Sequence, residues 1–398
     1  MKYVMIVLDG LGDVGKKTPL SKAKKPNIDF LARNGVTGLL DIGYKKEVNS
    51  DFGYLNLLGC YNKKDYPGRG YLEALGVYIF PQEGDVCIRG NFATLDKSGN
   101  LVDRRAGRDE TGLDILAQIL DGIEIDGVVF NVRKSAGHRV VVVMYGKNLS
   151  SELKPNDPLK TNVPVKQIIP KDPKNEKAKF TAHVLNKFLY KANKILSRNP
   201  INKKRKLPAN TIIVRNFGEK KTTKSFERRF GLKAACVAGI PIAKGVAMFL
   251  GMNVIEVDGT TGMPKTNLSG KAKAVLDALK THDFIFLHIN GTDILSHDGK
   301  PEKKMRFIER IDKVVIGKLR ENLDLKNTTI IITCDHRTAS DPDFSGYRHL
   351  PDPVPVLVSG GGIHPDKIRR FDELSCEKGQ IDMKAKELIP WILKAVKN

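Results

Sequence analysis

The segment Gly291-Thr292-Asp293-Ile294-Leu295-Ser296-His297 sets a carboxylate and an imidazole four residues apart. On a helix both project from one face and can share a metal ion. Asp335-His336 follows an apolar run directly, His349 stands just before another, and Asp9 closes the first apolar run of the chain. Singly, each has an ordinary explanation: Asp as a turn former or helix cap, His as a ring hydrogen-bonded to backbone. Together they are three carboxylates and three imidazoles at predicted strand ends, without a thiolate. That donor set suits two divalent ions of the manganese, zinc or cobalt type better than calcium. Two-metal sites perform phosphoryl transfer, because the ions clamp the attacking and leaving oxygens of an in-line displacement. A nucleophile is still required, and Ser50 in Asn49-Ser50-Asp51-Phe52-Gly53 falls at or near a helix N-terminus. Such a serine is either an ordinary helix N-cap or the hydroxyl that attacks phosphorus. Of the other histidines, His183 and His282 lack this setting, and His288 and His364 lie near a strand or a glycine turn without a matching motif.

Residues so far apart in sequence meet only if a fold gathers strand ends. The runs Tyr3–Leu8, Phe284–Ile289, Thr329–Thr333 and Val354–Val358 are short, apolar and bounded by Asp, Gly or Asn, as expected of buried parallel strands in an α/β sheet. Ligands of open parallel sheets bind beyond the carboxyl ends of the strands. From about residue 76 to 221 the texture changes: strand-like runs Asp85–Leu95, Gly127–Val132 and His138–Met144 precede a Lys- and Pro-rich stretch. Phe180–Leu196 has helical spacing, Lys154–Lys177 reads as a solvated loop, and Lys233–Met252 fits helices returning to the main sheet. The expected organisation is a core of residues 1–75 and 222–398 interrupted by an inserted α+β domain, 76–221.

Gly10-Leu11-Gly12-Asp13-Val14-Gly15 matches a dinucleotide glycine pattern after a strand and nearly matches a phosphate-binding loop. The third glycine should open a helix, yet Lys16-Lys17-Thr18-Pro19 intervenes, and the helix begins near Pro26. Lys17 also stands where a phosphate loop needs Ser or Thr. The pattern is read as a decoy.

The chain has 398 residues, 67 Lys plus Arg against 45 Asp plus Glu, a net charge of +22 and 41% hydrophobic content, which excludes a disordered or collagen-like protein. Lysine is spread along the whole chain without a zinc-finger, RNP or basic-zipper signature, so a solvated basic surface is expected and no nucleic-acid partner. Five scattered cysteines with no C-x-x-C pair argue against a disulfide framework and a thiolate zinc site, and fit a reducing cytoplasm. No stretch approaches the roughly 18 apolar residues of a spanning helix, so no membrane partner is expected.

These residues resemble the alkaline phosphatase superfamily, and within it the archaeal-type cofactor-independent phosphoglycerate mutases. The likeness rests on Leu8-Asp9-Gly10, Ser50-Asp51, Gly68-Arg69-Gly70-Tyr71-Leu72-Glu73-Ala74, Asp103-Arg104-Arg105-Ala106-Gly107-Arg108, Gly137-His138-Arg139, Lys244-Gly245, Asp293 through His297, Asp335-His336 and His349, in the same order from end to end. It implies an alkaline-phosphatase-like, mostly parallel α/β sheet flanked by helices, with a smaller inserted domain. It implies that one metal is held by Asp293, His297 and His349, and the other by Asp9, Ser50, Asp335 and His336. The ions are Mn, Mg, Zn or Co, and no bisphosphoglycerate is needed. It implies that Ser50 takes the phosphoryl group from 3-phosphoglycerate and returns it to the 2-hydroxyl of retained glycerate. Arg104, Arg105, Arg108, Arg139, Arg215 and Lys244 are then the residues that hold the substrate's carboxylate and phosphate, to which guanidinium forks are suited. A monomer or small homo-oligomer is expected. Val48-Asn49-Ser50-Asp51-Phe52-Gly53 departs from the family's Pro-Gly-Ser-Asp-Val-Ala, and Arg337-Thr338-Ala339 replaces the usual Ser-Thr-Pro. A metal-dependent phosphatase, or a transferase phosphorylating an amino-acid hydroxyl such as that of homoserine, has the same core.

Overall fold

The computed structural model describes residues 1–45, 48–341 and 349–396. Its contacts divide the chain into two compact units, 1–63 with 223–398, and 64–222.

The first unit is built on an eight-stranded sheet. From edge to edge the strands are Asn253–Val254, Ala234–Val237, Phe284–Ile289, Lys2–Leu8, Thr328–Thr333, Val354–Gly360, Gly35–Asp41 and Ile381–Lys384. Only Val354–Gly360 runs against the others: it is antiparallel to both neighbours, and the remaining pairs are parallel. The central strands are apolar because both of their faces are covered, and Phe284–Ile289 and Thr328–Thr333 are buried throughout. The expected mostly parallel α/β sheet is therefore present. The segment expected as helices after Lys233 opens with a strand, Ala234–Val237, before helix Pro241–Phe249. Its small residues are buried on both faces, a situation that sequence periodicity does not separate from a buried helix.

Parallel register puts the chemistry on one edge. Val7 pairs with both His288 and Thr333, and Leu8 pairs with Ile289, so the chain leaves three adjacent strands at one level. Asp9, the turn into helix Gly291–His297, and Asp335-His336 follow immediately. Gly35–Asp41 ends at the same edge and leads toward Ser50. The reversed strand Val354–Gly360 begins there, so His349 lies on its approach.

The Gly10–Gly15 loop is a structural bed for this edge. Gly10 has φ +61°, and a Cβ there would lie 2.7 Å from Thr338 Oγ1 and 2.8 Å from Asp293 Oδ1. Thr338 N donates to Gly12 O at 2.9 Å. Asp13 is buried and accepts from Lys304 Nζ (3.0 Å) and from Ser340 N and Oγ (3.1 and 2.7 Å), while its own amide donates to Glu373 Oε1. Glu373 also accepts from Thr18 Oγ1 at 2.7 Å. Asp13 and Lys304 thus clamp the turn after Asp335-His336 from below.

In the second unit an antiparallel sheet has the order Thr211–Gly218, Val86–Leu95, Arg139–Tyr145, Val128–Lys134, Ile123–Ile125, with Leu101–Asp103 paired to Val86–Leu95. One face is apolar and buries helices Leu113–Leu120 and Glu176–Arg198, with Phe130 stacked on Phe188 at 4.0 Å between centroids. The sequence reading sets a boundary after residue 75. Helix Arg69–Gly76 in fact packs on strands of this unit, approaching closely because Gly70 faces the carbonyls of Cys87 and Asn216.

Lys304→Met is expected to destabilise the first unit by about 3–5 kcal/mol, because it strands a buried carboxylate. Adding Asp13→Asn should recover part of that loss. Urea denaturation of the single and double variants measures both effects.

Candidate metal centre and arginine face

Asp9 is held from one side only. Its Oδ2 accepts from Tyr54 Oη at 2.5 Å and lies 3.1 Å from His288 Nε2, which is also 2.8 Å from Tyr54 Oη. The tyrosine proton goes to the carboxylate, so His288 carries its proton on Nε2. Asp9 Oδ1 is buried without a hydrogen-bond partner, as are both carboxylate oxygens of Asp335 and Nε2 of His336. His336 Nε2 sits 3.4 Å from Asp9 Oδ1 and 3.2 Å from Asp335 Oδ2. Four unsatisfied ligand atoms facing one another in a buried spot fit a cation, since burying charge without a partner is costly. Burial and the charges of Asp9 and Asp293 push the Asp335 carboxyl well above the usual range. Burial, then the His349 charge, carries His336 down to about 3, so it stands as a neutral imidazole able to donate a lone pair.

A second set adjoins the first. Asp293 Oδ1 is 3.5 Å from His297 Nε2 and 3.4 Å from His349 Nε2, and the two imidazole nitrogens are 2.9 Å apart. His349 Nδ1 faces Val48 O at 3.3 Å, which leaves its Nε2 for a ligand. Burial opposes ionisation of Asp293, but His349 and His297 hold it far below the carboxylate range. The His336 ring stacks on that of His349 at 3.7 Å. His336 belongs to both possible ligand groups, Asp9-Asp335-His336 and Asp293-His336-His349. The first group is sealed, with side-chain exposures of 3% or less, whereas His297 and His349 keep 33% and 25%.

Ser50 opens helix Ser50–Leu57, and the N-cap is Asn49, whose side chain caps nothing. The cap explanation for Ser50 therefore falls away. Its hydroxyl hydrogen-bonds Tyr54, one turn on, and Tyr54 touches Asp9. The segment is pinned to this cluster of carboxylates and imidazoles at three further points. His349 faces Val48 O, the single Tyr44 hydroxyl proton lies between Asn49 O (3.2 Å) and Asp335 O (3.1 Å), and Gly53 leaves no room for a side chain, a Cβ there lying 2.9 Å from Asp335 Cβ. Tyr54 and His288 were missed by sequence reasoning. His288 sits inside an apolar strand, and only the parallel register Val7↔His288 reveals that it meets Asp9.

Arginines gather on the sheet face of the second unit opposite its core. Arg215 pairs directly with Arg89, and Arg139 with Asn91. The bulge at Asn216 (φ +55°) keeps Arg215 on this face and returns Phe217 to the core. Arg104, Arg105 and Arg108, in and beside the Ala106–Arg108 turn, complete the group electrostatically. Arg104 has its fork on Asp157, at 2.9 and 2.6 Å. Arg69 and Arg89 were not among the expected ligands; Arg89 is signalled only by its position in the middle of a strand. Glu73 is the counter-charge below them: it lies 3.3 Å from Arg69 Nε, 3.5 Å from Arg89 Nε and 3.1 Å from Ser135 Oγ. Burial and the neighbouring arginines depress Arg89 well below its ordinary value, and burial carries Arg215 down to about 10 and His138 to about 2. Nε of Arg215 is buried without a hydrogen-bond partner, and that of Arg89 has only the longer ion pair to Glu73. A cluster of buried guanidinium groups that outnumbers its carboxylates is the chemistry of an anion site. Lys244, in helix Pro241–Phe249 of the first unit, bonds Glu256 at 2.6 and 2.7 Å.

The sequence profile described as Metalloenzyme superfamily matches residues 1–393, which sets the class of protein. A 2,3-bisphosphoglycerate-independent phosphoglycerate mutase of Methanococcus aeolicus is 38% identical over 99% of this chain and 97% of its own length, and one from Methanocaldococcus jannaschii is 38% identical over 96% and 93%. Among solved structures, a Pyrococcus horikoshii protein superposes with TM-score 0.81 at 31% identity, covering 100% of this chain and 97% of that one. A cofactor-independent phosphoglycerate mutase of Thermoplasma acidophilum gives 0.68 at 32%, covering 99% of each. The chain belongs to the metalloenzyme superfamily and, within it, to the archaeal-type 2,3-bisphosphoglycerate-independent phosphoglycerate mutases. No helix among the described residues is long and apolar enough to cross a membrane.

Burial pushes the Glu73 carboxyl up, but Arg69, Arg89 and Arg139 outweigh it and leave it below its ordinary 4.5. A carboxyl depressed by folding stabilises the fold above its unfolded value and ceases to do so as pH falls through the lower, folded one. Glu73→Gln should therefore destabilise the second unit at pH 7 by about 3 kcal/mol and flatten the pH dependence of stability below 4.5. Thermal melts from pH 3 to 7 check the sign.

Proposed function

We propose that this enzyme interconverts 3-phosphoglycerate and 2-phosphoglycerate through a phosphoserine at Ser50, with two divalent ions at the paired ligand groups. The observation that carries the reading is the set of four buried, unpartnered ligand atoms on Asp9, Asp335 and His336 beside a helix that begins with Ser50. Asp9, Ser50, Asp335 and His336 would hold the deeper ion, and Asp293, His297 and His349 the more open one. When bound, the ions supply Lewis acidity that lowers the pKa of the serine hydroxyl and neutralises phosphoryl charge.

The residues do the rest. Ser50 gives up its proton and attacks phosphorus, the P–O bond to glycerate breaks and the leaving oxygen is protonated, and the helix N-terminus favours the phosphoryl charge. The hydrogen bond from Tyr54 holds Asp9 Oδ2 so that Oδ1 stays in place. In the return step the 2-hydroxyl of retained glycerate attacks the phosphoserine, and Ser50 is regenerated. Arg89, Arg139 and Arg215, with Arg105 and Arg108, form the mutually repelling guanidinium cluster proposed to bind a carboxylate and phosphate, while Arg104 orders the turn through Asp157. Retention of glycerate separates a mutase from a phosphatase that shares every metal ligand.

In an enolase-coupled assay with manganese, the wild-type protein should form 2-phosphoglycerate without releasing phosphate. Phosphate release in its place would replace the mutase reading by a phosphatase. Ser50→Ala is expected to lower turnover on the order of 10⁴-fold or more and to abolish the acid-trapped phosphoenzyme. A variant that keeps either would remove Ser50 from the chemistry.

A further inference from the structure

Thr338 is fully buried, and its hydroxyl stands between the two ligand groups. Oγ1 donates to Asp293 Oδ1 at 2.9 Å and lies 3.0 Å from His336 Nδ1. A hydroxyl has one proton. With that proton on the Asp293 carboxylate, the contact with His336 is made by the imidazole's own Nδ1–H. The ring is then the tautomer whose Nε2 lone pair points at Asp9 Oδ1 and Asp335 Oδ2, where Nε2 has no hydrogen-bond partner. The backbone of Thr338 is fixed on three sides: its amide donates to Gly12 O, its carbonyl accepts from Lys304 Nζ at 3.2 Å, and the residue pairs with His349 across a short antiparallel ladder. A side chain so held has one hydroxyl orientation that satisfies both neighbours.

We infer that Thr338 is a positioning residue that couples the two ion positions, fixing the tautomer of His336 for one and the carboxylate of Asp293 for the other through a single hydroxyl. The inference rests on the two-ion reading above. It predicts that both sites weaken together when the hydroxyl is lost, because groups that orient metal ligands typically change affinity by about 10–100-fold.

The test is titration of the metal-free full-length protein with manganese chloride by calorimetry, on wild type, Thr338→Val and Thr338→Ser. Thr338→Val should weaken both binding steps at least about 10-fold, and Thr338→Ser should restore both. Wild-type affinity in Thr338→Val, weakening of one step alone, or equal weakening in the serine variant would overturn the inference. Should the valine variant not fold, Thr338→Ala is judged by the same criteria. Wild type that takes up no manganese overturns this inference and the two-ion reading together. Wild type that binds two ions but forms no phosphoserine sinks only the mutase mechanism.

Discussion

Three carboxylates, those of Asp9, Asp293 and Asp335, are buried within reach of one another at one edge of a sheet, and like charges so placed repel strongly in a medium of low polarity. Everything around them answers that repulsion. Tyr54 and His288 hold one oxygen of Asp9, Thr338 holds one of Asp293, and His297 and His349 stand against the same Asp293 oxygen. What this leaves unpartnered is a set of lone pairs turned toward common points. A cation is the group that turns the arrangement from a cost into a stable site.

The second unit shows the same problem with the sign reversed. Arg89 and Arg215 face each other across a ladder, where like charges are unfavourable, with Arg139 one pair further on and Glu73 as the buried counter-ion between them. The two units thus carry complementary deficits, one of positive charge and one of negative.

The strands Tyr3–Leu8, Phe284–Ile289 and Thr329–Thr333 were legible because strands buried on both faces are written as continuous apolar runs. Asp9, Asp293 and Asp335-His336 were legible because they terminate those runs, and the spacing of Asp293 and His297 matches the helix Gly291–His297. His288 and Arg89 were not, since an isolated polar residue inside an apolar run acquires meaning only from its partner across the ladder, and pairing register is not written locally. The strand Gly35–Asp41 was missed for a similar reason: its two glycines look like turn residues, yet a Cβ at Gly38 would overlap the backbone of Ile381 on the adjacent strand. The glycine-rich loop, read as a decoy from the residues that follow it, has a packing role. Its small residues serve close packing against Thr338, Asp293 and Arg337, not a bound phosphate.

Near the start and end of the second unit, Glu219 N donates to Pro67 O at 2.9 Å, so the chain enters and leaves this unit at one point. A segment of some 150 residues joined in this way interrupts its host as a bud interrupts a stem. In evolutionary terms the inserted module can be exchanged, trimmed or lost without rethreading the host sheet, while the strand ends that lead to Asp9, Asp293 and Asp335 stay untouched. If the arginine face binds substrate as proposed, diversification is a matter of grafting, and that face is where relatives with other substrates should diverge first.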